Sequence, residues 1–104
     1  MAKRIQVRPV HPGEILREDV LPEVHMTVTD VARSLGISRQ MMHSILAGRK
    51  PISAVMCLKI AKLFGSTPEF WMRLQADYDL AIATHDEGVM RIVAGIAPVR
   101  EMST

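Results

Sequence analysis

Residues 27 to 50, TVTDVARSLGISRQMMHSILAGRK, decide the fold. Thr27 followed by Asp30 is a carboxylate form of the capping box, and Met26 and Val31 stand where a hydrophobic staple closes, so a helix starts there. Gly36-Ile37-Ser38 then makes a tight turn. Ser38 can accept from the backbone N–H of Gln40 or Met41, with Ile37 and Met42 at the staple positions and Gly48 as a left-handed stop. The second helix is predicted from Arg39 to Ala47.

Two short helices about such a turn form a helix-turn-helix motif, here residues 27–48, in which the second helix enters the major groove of DNA. At 3.6 residues per turn, Met42, Ile45 and Leu46 point one way and should bury. Arg39, Gln40, His43 and Ser44 fall on or beside the opposite face, in the N-terminal half that a recognition helix presents to base edges. Arg39 suits bidentate donation to guanine, Gln40 suits adenine, and Met41 can pack on a thymine methyl. The competing reading is an ordinary helix with a solvated face, so the rest of the chain has to agree.

Arg49 and Lys50 follow the second helix directly, where a positive loop would lie along phosphates and set register without reading sequence. Residues 1 to 65 hold ten Lys or Arg against five Asp or Glu, and residues 66 to 104 hold three against six. The formal charge of +2 therefore hides a basic N-terminal part, which predicts salt-sensitive binding to a polyanion rather than scattered solvated charge.

At 104 residues the chain forms one domain, too small for a catalytic domain plus a regulatory one. The lone Cys57 lies in an apolar helical stretch and reads as a core residue in a reducing compartment. No apolar run approaches the roughly 20 residues of a membrane span, and MAKRIQVRPVHPGE lacks the apolar segment of a signal peptide. A cytoplasmic protein without membrane contact is expected.

Outside the motif, Pro12 and Glu14 open a first helix that Pro22 is expected to end. Ser53 caps a helix from Ala54 to Phe64, closed by Gly65, and Thr67-Pro68-Glu69 opens a fifth helix through about Leu80. Phe70, Trp71, Leu74 and Tyr78 recur on it at helical spacing, as core or subunit interface. Five helices without internal repeats make an all-α bundle. IQVRPV at residues 5 to 10 and VMRIVAGIAPV at 89 to 99 are rich in β-branched residues, so short terminal strands are expected there, with Asp86-Glu87-Gly88 as a loop. Such a strand would pair with the other terminus, a second subunit or a different protein, which makes 81–104 a C-terminal tail for dimerisation or partner binding, and the competing reading is a frayed tail.

Three blocks carry a family resemblance over about three quarters of the chain: HPGEIL at His11 to Leu16, ILAGRKPIS at Ile45 to Ser53, and GSTPEFWMRLQADYDL at Gly65 to Leu80. The sequence resembles the HigA antitoxins, within the xenobiotic-response-element group of helix-turn-helix repressors. The resemblance implies a lambda-repressor-like fold and a homodimer that represses its own operon at an operator. It also implies a protein that binds and neutralises HigB, a toxin related to ribosome-dependent mRNA endonucleases. It places Ser38, Arg39, Gln40, His43 and Ser44 near DNA, Thr29 at the front of the supporting helix, and Arg49 and Lys50 on phosphates. It assigns dimerisation to the fifth helix and tail, so Trp71, Leu74 and Tyr78 divide between core and interface. The tandem Met41 and Met42 depart from the usual start of the reading helix. Toxin contacts carry across at no single residue.

Catalysis finds no support in the spacing of His11, His25, His43 and His85, since no pair forms an HxxxH or HExxH arrangement. A Ser44, His43, Asp30 triad would lie wholly within the reader and is rejected. No cofactor or metal is expected. Two readings stand, an antitoxin that represses and sequesters, and a stand-alone regulator of the same fold.

Overall fold

The computed structural model describes residues 8 to 99, and among these the chain is all-helical. The first helix, α1, runs without a break through Pro12–Ile15, a π-helical stretch Leu16–Val20 and Leu21–Val24. Helices α2 (Val28–Leu35) and α3 (Arg39–Leu46) form the helix-turn-helix, followed by α4 (Ala54–Phe64), α5 (Pro68–Thr84) and α6 (Glu87–Ala94). The core gathers the inward residues of the first five: Leu16, Val31, Met42, Ile45, Ile60 and Trp71 are all essentially buried. Cys57 lies in the same cluster, and burial pushes its thiol above the ordinary range, so it acts as a small apolar filler.

Pro22 does not end α1. The Leu21 N–H donates to the Leu16 carbonyl, five residues back, and this widened turn admits a proline that has no N–H to offer. The helix stops at His25, whose left-handed φ of 55° turns the chain toward α2.

The C-terminal strand is also corrected, because residues 87–94 are helical. Asp86 and Glu87, expected in a loop, form a cap and a first turn: the Asp86 carboxylate accepts from the Val89 N–H at 3.1 Å. That cap and the three-and-four spacing of Val89, Ile92, Val93 and Ile96 override the β preference of their branched side chains. At the other end, Arg8 to Val10 are not in a strand, and residues 5 to 7 of the expected segment lie outside the described residues. Helix α5 extends four residues past Leu80 to Thr84, since Ala81 to Thr84 contain nothing that breaks a helix.

Candidate nucleic-acid interface

Both starts and both stops of the motif are held by the groups that the local sequence supplies. The Thr27 hydroxyl accepts from Asp30 N–H at 3.0 Å and the Asp30 carboxylate accepts from Thr27 N–H at 3.4 Å, which closes the capping box. These bonds hold the Asp30 carboxyl below the ordinary range, led by the Thr27 side chain and backbone. Ser38 caps α3 by accepting from Met41 N–H at 3.0 Å. Helix α2 ends in a Schellman turn at Gly36, with Ile37 N–H on the Ala32 carbonyl and Gly36 N–H on that of Arg33. Helix α3 ends the same way at Gly48, with Arg49 N–H on the Ser44 carbonyl at 2.9 Å.

The faces divide as the spacing requires. Met42, Ile45 and Leu46 are buried, Arg39, Gln40, Met41 and His43 are exposed, and Ser44 is half-buried. A shallow depression of about 180 Å³ brings Ser38, Gln40, Met41 and Ser44 together with Lys50, so the loop cation stands beside the exposed face of α3. Thr29 is exposed in the first turn of α2. Arg39, Arg49 and Lys50 are exposed and form no ion pair among the described residues. His43 lies toward α1, beside Arg17, Leu21 and Val28.

Residues outside the motif hold this surface in place, and sequence reasoning missed them as positioning groups. A Cβ on Gly13 would stand 1.8 Å from the Ile45 carbonyl oxygen, so α1 crosses α3 backbone to backbone. One turn on, Arg17 donates from Nη1 to the Leu46 carbonyl at 2.7 Å. His11 caps α1 through Nδ1, which accepts from Gly13 N–H at 2.9 Å, and its buried ring packs against Gly48 and edge-on to Tyr78 at 4.9 Å. Arg8 forks onto Glu14 with two bonds of 2.9 and 2.6 Å, which holds that carboxyl below its ordinary range. From the far side, the buried Gln75 of α5 accepts from Ile52 N–H at 2.9 Å and donates to Asp79 at 2.9 Å, fixing the loop that carries Lys50. The available signal for Gln75 was a polar residue between Trp71 and Tyr78 on an otherwise apolar stripe.

That stripe is split. Trp71 is core and donates from Nε1 to the Ser66 hydroxyl at 2.6 Å, Leu74 packs on the core, Tyr78 covers His11, and Phe70 is half exposed.

Residues 16–71 match the helix-turn-helix family. Over 88% of its length the chain is 39% identical to an addiction module antidote protein of the HigA family from Coxiella burnetii, covering 99% of that solved chain with a TM-score of 0.78. The chain belongs to the HigA-type helix-turn-helix family. This HigA-type protein is likewise similar to the Pseudomonas aeruginosa antitoxin HigA, solved with the higBA promoter, at 36% identity over 89% of this chain and all of that one, with a TM-score of 0.80. To antitoxin GraA in complex with its operator it is 34% identical, over 96% of this chain and all of that one, with a TM-score of 0.81. The family is one of DNA-binding regulators rather than enzymes. Among the described residues, no helix is long and apolar enough to cross a membrane.

Proposed function

We propose that this HigA-type protein represses its own operon as a DNA-binding homodimer and neutralises a HigB-type mRNA endonuclease toxin by direct binding. The observation that carries the reading is the surface built at the start of α3. There Arg39, Gln40, Met41, His43 and Ser44 face outward or flank the outer face, Lys50 stands beside them, and it and the neighbouring Arg49 form no ion pair among the described residues. In the proposed mechanism α3 enters the major groove, with Arg39 on guanine, Gln40 on adenine and Met41 against a thymine methyl. Thr29, Ser38, Arg49 and Lys50 fix register on phosphates.

A homodimer is supported by the end of α5 and the segment after it, where Leu80, Ile82, Ile92, Val93 and Ile96 are all about half exposed or more. A twofold pair would span half-sites about 34 Å apart, one turn of the duplex. The test is to look beside this coding sequence for a small basic reading frame, whose absence would favour a stand-alone regulator, and to express it in a bacterial host with and without this protein. Growth arrest alone, rescue together and a co-purifying complex would support the antitoxin reading. No arrest and no complex would favour a stand-alone regulator.

A further inference from the structure

A second surface lies on the edge of α1 that faces away from the reader. The Arg17 and Leu21 edge borders His43 and Leu46 of α3, whereas Asp19, Val20, Glu23 and Val24 line a groove of about 370 Å³ against Phe64 and Phe70. Its floor is apolar and open: Val24 is 38% and Phe70 47% exposed, although Phe70 is held edge-on to the buried Trp71 at 5.1 Å. Its rim is acidic. Of the five carboxylates in residues 1 to 65, Glu14 pairs with Arg8, Glu18 with Arg17 and Asp30 with Arg33, while Asp19 and Glu23 have no ion-pair partner among the described residues. The two that are without an ion-pair partner among the described residues thus stand together over an apolar groove, in a part of the chain where Lys and Arg outnumber Asp and Glu.

We infer that this groove docks a cationic protein segment, one bulky apolar side chain seated between Val24 and Phe70 with flanking Lys or Arg on Asp19 and Glu23. An acidic rim repels phosphate, so the groove takes no part in holding DNA, and its position on the far edge of α1 lets protein and operator bind together. A bulky side chain seated in an apolar site, with a polar rim around it, fits the anatomy of a protein interface. Resting on the toxin reading above, the inference assigns the segment to the product of the adjacent small basic reading frame.

The experiment co-expresses that product with the full-length protein carrying Asp19→Lys and Glu23→Lys together, with Phe70→Ala, or with Asp19→Asn and Glu23→Gln, and measures capture, operator affinity and thermal midpoint. The charge reversal should weaken capture by about tenfold or more, as like charges meet across the interface. Phe70→Ala should weaken it without any change of charge, the amide pair should fall between, and operator affinity should not drop in any of them. Undiminished capture by the reversed protein overturns the groove while leaving the antitoxin reading standing. Failure of the unaltered protein to capture the product overturns that reading and the groove with it. A change in the oligomeric state of the reversed protein assigns the groove to a second copy of this chain and likewise overturns the inference.

Discussion

Gly13 and Ile45 meet so closely that no other residue fits at position 13, since a Cβ there would lie 1.8 Å from the Ile45 carbonyl oxygen, which belongs to helix backbone and has no side-chain freedom to move. Gly13→Ala should therefore push α1 off α3 and destabilise the protein by about 1–3 kcal/mol, the range for overpacking a filled interior. Thermal unfolding checks this, and an unchanged midpoint would mean that the two helices can separate freely.

Arg39 and Lys50 should fail differently. Arg39→Ala should cost about 1–3 kcal/mol of operator affinity and relax the preference at one base pair. Lys50→Ala should weaken cognate and random duplexes alike and lower the salt slope by about one. Titrations of both variants on both duplexes at several salt concentrations separate the roles, and equal losses on the two duplexes for Arg39→Ala would remove it from the base-reading set.

Gln75 makes a stability prediction with a functional echo. Gln75→Leu fills a similar volume but leaves the buried Ile52 N–H without its acceptor, which should cost about 1–3 kcal/mol. The Lys50 loop should loosen at the same time, so operator binding should weaken in buffer conditions where the protein is still fully folded by circular dichroism.

Burial pushes the His11 imidazole below its ordinary value of 6.5, against the opposing pulls of the Lys50 backbone and Asp79. Above 6.5 the folded and unfolded chains are both neutral at this residue, and its contribution to stability is intact. As pH falls below 6.5 the unfolded chain takes up the proton first, so stability declines until the folded pKa is passed and then levels off. His11→Asn retains an acceptor for the Gly13 N–H and cannot titrate, so its thermal midpoint should fall less between pH 7.5 and pH 5 than that of the unaltered protein. Parallel curves for the two proteins would show that His11 contributes nothing to the acid limit.

The helix-turn-helix was legible almost to the residue because its boundaries are local: Thr27, Gly36, Ser38 and Gly48 each satisfy backbone groups within a few positions of themselves. The same holds for Ser53 and Thr67, which cap α4 and α5 as expected. Pro22 and the segment from Val89 to Val93 misled, because single-residue preferences were weighed without the wide turn or the Asp86 cap that override them. The division of α3 into a buried and an exposed face followed from helical periodicity. Its supports did not, since the bonds of Arg17 to Leu46 and of Gln75 to Ile52 join residues 29 and 23 positions apart, and no local pattern encodes such a separation.

The attachment of α3 is lopsided. Helix α1 grips it by the carbonyls of Ile45 and Leu46 at its last turn, while the first turn, Arg39 to Met41, is exposed and is tied by the Ser38 cap. Backbone carbonyls are the same whatever side chains they carry, so the grip is indifferent to the identity of the residues at the free end. Replacements at positions 39, 40, 41 and 43 can accumulate at little cost to folding. Chemical variety at the exposed turn is thereby uncoupled from the contacts that seat the helix, so side chains there can change while the supporting framework stays constant.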